Sequence, residues 1–538
     1  MERLLQMLRN CGVDEPLARE IATKAFQIIS TKNPVDAWSI ISKEILSPSH
    51  PFSLHSALFD TVYGNWDDKD GPKPVWIPGK EEISKTNIAD FQAEIGIDTF
   101  VELHKWSAGH RMEFWEKVTY MLSIVFQTPY QKIAFIDNPE TPQWYYGAKM
   151  NIAQSCFKAE GEKTAIIYQE EGGEVKRWTY NKLHEMSNRV ALGLVNIGLK
   201  KGDAIAIDMI MTAESVAIYL GIVKAGCVVV SIPDSLAPAE VQKRLEIAGV
   251  KLIFTQDVLI RGGKQLPLYE KILEAKPEKA VVLPAKENLC GTLRVQDVSW
   301  EKFLVDAGML RPPTGGSAQD LEWVFCNPAD PINILFSSGT TGVPKAIPWN
   351  HTTAVKCASD GFFHHDIHKG DVVAWPTNLG WMMGPWLIFA SFINKASIAL
   401  YYGPPTGREF GEFVQNAKVN MLGVVPSIVK QWRSSNCLDG LDWSAVKCYS
   451  STGESSNAND MFWLMARAGY KPVIEYCGGT EIGGGYLSGT LVQRASPSYF
   501  TTPAMGLDIV ILDEDGKHAN RGEVFIIPPS IGLSTELL

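Results

Sequence analysis

Between residues 162 and 256 the chain alternates short β-branched runs with amphipathic stretches, and this alternation constrains the fold more than any other feature. AIIYQEE and EVKRWTY flank Gly172 and Gly173 as the arms of a hairpin; Leu183, Met186, Val190, Leu194 and Ile197 then recur at the spacing of one helical face. A strand at AIAIDM, a helix around 213–226, a strand at CVVVSIP, a helix near 238–248 and a strand at LIFTQ follow. Parallel neighbours need full crossovers, and crossovers place helices on both faces of a sheet. The pattern predicts a mainly parallel α/β sheet, which would bind its ligands at the carboxyl ends of the strands. DVVAWP, SIALYYG, MLGVVP and KPVIEYC repeat the pattern later, so two related layers are expected in one large domain over 161–538.

Ahead of that domain, residues 1–97 read as helical, with Leu17, Ile21, Ala25 and Ile28 on one face. NWDDKDGPKPVWIPGKEE reads as a long loop. Over 98–160 the aromatic residues Trp106, Phe114, Trp115, Trp144, Tyr145 and Tyr146 predict a core layer rather than a ligand-stacking platform. A chain of 538 residues exceeds what one core supports, and 45% apolar with 20% charged residues excludes a disordered or collagen-like polymer. A formal charge of -10 without a basic stripe argues against a nucleic-acid partner. Nine cysteines, odd in number and without a CxxC pair, fit a reducing compartment better than a disulfide framework or structural zinc. MERLLQMLRNCGVDE lacks a secretory pattern, and the longest apolar run, Trp381 to Ile393, is broken by Gly384 and Pro385, so no membrane span is expected. The ending STELL is neither a prenylation box nor an SKL-type address. A soluble intracellular protein is expected.

Chemistry concentrates in PINILFSSGTTGVPKAIPWNH. An apolar strand runs into Ser337, Ser338, Gly339, Thr340, Thr341, Gly342, Val343, Pro344 and Lys345. Glycines let successive N–H groups turn toward one anion, hydroxyls add donors, and the lysine supplies a mobile positive charge. This is a phosphate-holding composition but not a Walker A loop, since Lys345 is followed by Ala346. A flexible Ser/Gly linker is the competing reading, and linkers rarely follow a buried strand directly.

SSGTTGVPK resembles the phosphate loop of the adenylate-forming, or AMP-binding, superfamily, which includes acyl-CoA synthetases. STGESSN, with Gly453, Glu454 and Ser455, is similar to the segment these enzymes fold against adenine, and EYCGGTEIGGG is similar to their next core motif. The resemblance implies that Thr480 contacts the α-phosphate, that Glu481 holds Mg²⁺, and that Glu475, Tyr476, Cys477, Gly478 and Gly479 line the adenosine and acyl pockets. Lys345, Thr480 and Glu481 would be the catalytic set. Alone, Thr480-Glu481 would read as a helix start with a dipole-satisfying glutamate.

KWSAGHRMEFWEKV and WYYGAKMNIAQSCF resemble the N-terminal segment of acetyl-CoA synthetases. RGGKQLPL, with Arg261, Gly262, Gly263 and Lys264, resembles the place where those enzymes bind the 3′-phosphate of coenzyme A, an exposed basic turn being the alternative. NLGWMMGPW resembles the aromatic motif beside the acyl pocket and nominates Trp381. With the extra helical N-terminus, the chain is most similar to plant acyl-activating enzymes, several of them peroxisomal. Peroxisome and cytosol both stay open.

Two departures matter. Acetate-specific relatives carry a tryptophan where Gly478 stands, so an acid larger than acetate is expected. The family also continues into a small C-terminal domain, whereas this sequence ends at Leu538; the expectation is a large domain without that lid, with a catalytically impaired form as the alternative to an active ligase. The implied cofactors are ATP, Mg²⁺ and coenzyme A, and the implied partner is a small carboxylic acid.

Three functions compete: an ATP-dependent acid–thiol ligase, a nucleotide-binding pseudo-enzyme lacking the lid, and a scaffold using the N-terminal helices. A serine hydrolase is disfavoured because no GxSxG occurs, and Gly483 to Gly485 do not form a dinucleotide fingerprint. His364, His365 and His368 in FFHHDIHKGD have i, i+4 spacing for a metal, but a surface or capping role is expected instead.

Overall fold

A computed structural model describes residues 1–308, 321–337 and 343–537. Two seven-stranded sheets dominate it. In the first, Val298–Ser299, Ala280–Leu283, Leu252–Gln256, Ala204–Asp208, Val228–Ser231 and Pro331–Ser337 are parallel neighbours, and Lys345–Asn350 closes the edge antiparallel. In the second, Val473–Glu475, Cys448–Ser451, Met421–Val424, Val372–Ala374, Ser397–Tyr402 and Thr164–Glu170 are parallel, and Lys176–Thr179 is the antiparallel edge. The expectation of two mainly parallel α/β layers holds, with each layer gaining one reversed edge strand.

Apolar runs of the AIAID and VVVS kind are buried along their full length, as strands covered on both faces require. Helices Tyr180–Asn196 and Ala213–Lys224 start at Thr179 and Thr212, whose side chains accept from Lys182 N and Ser215 N. Helices Ala213–Lys224, His351–Phe363 and Met383–Phe392 are buried on nearly every side, and one core cluster joins them to strands of both sheets. The run from Trp381 supplies the last of these; among the described residues no helix is long and apolar enough to cross a membrane.

The first 97 residues are helical, and Glu15–Ile29 buries Ile21 and Ala25 while Leu17 and Ile28 lie at the margin of the core. This region packs on helix Ala458–Arg467: Trp38 meets Phe462 edge-on at 6.0 Å and Tyr470 at 5.3 Å, and His55 Nδ1 lies 2.6 Å from Tyr470 Oη. The long loop after Asn65 is pinned where Trp76 bridges Ala495, and it contains the short helix Lys80–Ile83. Of the aromatic layer, Phe114, Trp115, Trp144 and Tyr145 are buried, whereas Tyr146 is exposed.

The histidine expectation needs correcting. His364 is indeed the C-terminal cap of His351–Phe363, but it and His365 are buried, not on the surface. His364 Nδ1 lies 2.9 Å from Gly489 O and its Nε2 accepts from Met505 N; His365 lies between Asp360 O and Ser450 Oγ. Burial lowers both pKa values to about 4, so both are neutral struts between elements.

Candidate active site

A cavity of about 1180 Å³ opens where the carboxyl ends of strands from both sheets converge. Asp234 follows Val228–Ser231, Trp375 follows Val372–Ala374, and the Thr452–Ser456 turn follows Cys448–Ser451; all border it. Of the sequence-nominated residues, Arg261, Trp381, Gly453, Glu454, Ser455 and the run Glu475 to Thr480 line this one space.

One wall is held by hydrogen bonds. Thr452 Oγ1 donates to Tyr476 O at 2.6 Å, Ser451 and Ser456 hydroxyls lie 2.9 Å apart, and Ser456 Oγ donates to Glu475 Oε2 at 2.7 Å. Ser498 N donates to Glu475 Oε1 at 3.1 Å. Burial raises the Glu475 pKa to about 7 despite these two donors. Glu454 turns from the Thr452–Ser456 turn to accept from Ser427 N and Oγ, fastening the first turn of helix Pro426–Ser435.

Thr480 does not start a helix: residues 480–483 form a turn, and Trp349 Nε1 donates to Thr480 O at 2.7 Å. Ser534 N donates to Glu481 O at 2.7 Å. Ser337, the last residue of its strand, lies with Oγ 3.5 Å from Glu481 Oε1, and Lys345 opens the next strand directly opposite Ser337. The two motifs are therefore neighbours. Ser338, Gly339, Thr340, Thr341 and Gly342 lie outside the described residues.

Residues 153–532 match the family model described as AMP-binding enzyme. The chain belongs to the AMP-binding enzyme family. Residues 100–156 match the acetyl-coenzyme A synthetase N-terminus, and residues 4–64 match the SAM domain of probable acyl-activating enzyme 17/18. The chain is 42% identical to probable acyl-activating enzyme 17, peroxisomal, of Arabidopsis thaliana, over 98% of this chain and 75% of that protein. It is 43% identical to hexanoyl-CoA synthase of Cannabis sativa, over 98% of this chain and 76% of that protein. Acetoacetyl-CoA synthetase from Streptomyces lividans shares the fold, with a TM-score of 0.79 at 23% identity over 87% of this chain and 74% of that one. The resemblance to plant acyl-activating enzymes read from the motifs is thus what these comparisons return.

Within this AMP-binding enzyme, three nominated residues sit differently from a simple reading of their motifs. Tyr476 borders the cavity but is buried, and its hydroxyl turns away to donate to Asp360 Oδ2 at 2.6 Å while accepting from Trp386 Nε1 at 3.0 Å. Asp360 also accepts from Gly485 N and pairs with Lys356, whose Nζ reaches Gly485 O at 3.0 Å. Burial pushes the Asp360 carboxyl up, yet Lys356 and the other partners bring it below its ordinary value. Gly478 pairs with Gly485 across a bulged register, and a Cβ built on it would run into Gly484 O. A tryptophan there would have to move the neighbouring strand as well as fill the pocket. Arg261 ends the first arm of a hairpin turning through Gly262 (φ 59°) and Gly263 (φ 70°), and its guanidinium is tied to Asp234 Oδ2 at 2.9 Å; Lys264 is exposed on the return strand.

Motif reading missed Asp234 and Ser498 on the cavity wall, and did not single out Asn378, Met382 and Met383 within NLGWMMGPW or Thr452 and Ser456 within STGESSN. For Asp234 a signal existed: a carboxylate placed just past the end of a parallel strand.

Proposed function

We propose that this enzyme activates a carboxylic acid larger than acetate and transfers it to coenzyme A. A carboxylate oxygen attacks the α-phosphorus of ATP and pyrophosphate leaves, giving an acyl-adenylate. The coenzyme A sulfur then attacks the acyl carbonyl and AMP leaves, with the thiol proton passing to solvent.

The observation that carries this reading is the 3.5 Å approach of Ser337 to Glu481 beside a cavity walled by Gly453–Ser455 and Glu475. In it, Ser337 and Lys345, with the intervening Ser338 to Gly342, hold the polyphosphate, and Thr480 donates to the α-phosphate. Gly453, Glu454, Ser455 and the main chain of 475–479 hold the adenosine. Glu481 with Ser337 offers oxygen donors of the kind Mg²⁺ takes when phosphates complete its shell, and the ion would neutralise charge as the two anions meet. Arg261 and Lys264 would receive the 3′-phosphate of coenzyme A.

An acid longer than acetate is supported by Gly478 in place of an aromatic side chain, by Trp381, Met382 and Met383 along the cavity, and by the name hexanoyl-CoA synthase of a relative. The peroxisome is the proposed compartment, after the names of two Arabidopsis relatives, with the cytosol as alternative. The test is ATP–pyrophosphate exchange over a series of straight-chain acids, on this chain and on one of the relatives' full length. Exchange that rises from acetate toward mid-length acids supports the proposal; intact ATP binding with no acid-dependent exchange from either chain overturns it.

A further inference from the structure

Asp234 holds together two parts of the cavity that are far apart in sequence. Its side chain is 5% exposed, and both of its oxygens are committed: Oδ2 accepts from Arg261 at 2.9 Å and Oδ1 from Asn378 Nδ2 at 3.0 Å. Its carbonyl accepts from Lys271 Nζ at 3.0 Å, and Lys271 also pairs with buried Asp208. Asn378 in turn accepts from Gly380 N at 2.8 Å, and Trp381 N donates to Asn378 O at 3.0 Å. At Gly380 the main chain comes so close to Pro233 that a Cβ would collide with Pro233 N. The Asp234 turn and the Trp381 segment are thus seated directly on each other.

The Arg261 hairpin is seated only at its base, where Leu259 is buried in the core. Toward its exposed turn the hydrogen bonds beyond its own strand pairing are Gly263 N to Glu171 Oε2 at a long 3.4 Å, and Arg261 to Asp234. Arg261 is 48% exposed, so an arginine otherwise free to sample many rotamers is fixed by a single buried carboxylate. One nitrogen of the guanidinium is used in that bond, and the fork remains available to an anion.

Resting on the reading of Arg261 as a coenzyme A contact, we infer that Asp234 is a positioning residue for the thiol co-substrate. It registers the Arg261 guanidinium against the Asn378–Trp381 segment of the cavity wall, and so fixes where the phosphate of that co-substrate is held. Its removal leaves the charge of Arg261 in place but not its location.

The experiment is titration calorimetry of coenzyme A and 3′-dephospho-coenzyme A, read as the ratio of their dissociation constants, which does not depend on the folded fraction. Wild type should favour coenzyme A about tenfold or more, as one charged hydrogen-bonded contact to a phosphate provides. Arg261→Gln should lower the ratio most, to the remainder that Lys264 alone supplies, and Asp234→Ala should bring it to within about threefold of that value, with Asp234→Asn between Ala and wild type because it keeps one acceptor. Asp234→Ala combined with Arg261→Gln should match Arg261→Gln alone, since one residue acts through the other. An unchanged or increased ratio in Asp234→Ala, or a double variant worse than Arg261→Gln, overturns the inference while leaving the coenzyme A reading intact. A wild type that does not discriminate overturns the reading of Arg261 itself, and the inference with it.

Discussion

The two walls of the cavity are built from different forces. On one side, the turn after Ser451 and the segment 475–480 are fixed by Thr452, Ser456 and Ser498, and backed by the buried set Tyr476, Asp360, Lys356 and Gly485. On the other, Trp375 lies on Gly423, where a Cβ would enter its ring, and Met382, Met383 and Trp381 continue the surface by packing. A polar wall cannot move without orphaning buried donors and acceptors. An apolar wall with unbranched methionines repacks at small cost. The contrast suits a site whose nucleotide never changes while its acid differs among relatives.

The largest expected effect lies behind the polar wall. Lys356→Met leaves Asp360 buried without its cation, which costs about 3–5 kcal/mol in comparable breaks. A large drop in melting temperature is expected, partly recovered when Asp360 is also made apolar. A single variant within about 1 kcal/mol of wild type would show that the wall does not depend on this pair. Next, Glu481→Gln should lower pyrophosphate exchange by about 10²–10³-fold with ATP affinity less affected, as for loss of a group acting on developing charge; equal losses in both would make Glu481 a ground-state contact.

How far the two walls were legible in the sequence follows from the range of their contacts. VVVS, LIFTQ and MLGVV announce themselves because a strand covered on both faces is near-continuously apolar. The backing of the polar wall was hidden. FFHHDIHKGD looks like a surface turn until Gly489, Met505 and Ser450 arrive from more than 80 residues away to accept and donate to its histidines. Lys356 and Asp360 are an ordinary exposed i, i+4 pair by pattern, and only the packing of Tyr476 and Gly485 turns them into a buried one. Gly478 was read as missing bulk in the pocket; its neighbour Gly484 adds a second reason, close strand approach, which appears only once the register is known.

A titration sharpens the same contrast. Glu475 has a folded pKa raised from 4.5 to about 7 by burial. Between those values the unfolded chain has released the proton that the folded chain retains, so stability falls as pH rises from about 4.5 to 7 and is level above. Glu475→Gln removes this burden. The variant should gain on wild type by about 3 kcal/mol as pH rises from 4.5 to 8, on top of a pH-independent offset for what its two donors lose in the exchange. Asp208, also raised to about 7, titrates in the same window in both proteins and cancels from the difference. A difference that stays flat across this range would mean that Glu475 ionises normally and that the wall is wetter than its hydrogen bonds imply.

The smallest expected effect tests the apolar wall. Met383 is 6% exposed at the start of helix Met383–Phe392 and borders the cavity. Met383→Ala should lengthen the space without disturbing the nucleotide side, because no hydrogen bond of the polar wall passes through it. Hydrophobic pockets discriminate one methylene by about 1–3 kcal/mol at most, so the preferred acid should shift toward longer chains by roughly tenfold in relative kcat/KM. The KM for ATP should stay put. A stability loss of about 2–3 kcal/mol is compatible with this, since a buried methionine leaves a cavity, but it acts equally on every acid and cannot alter their order. If all acids slow in proportion, the acyl chain does not lie along Met383. The two walls would then differ in construction without differing in what they read.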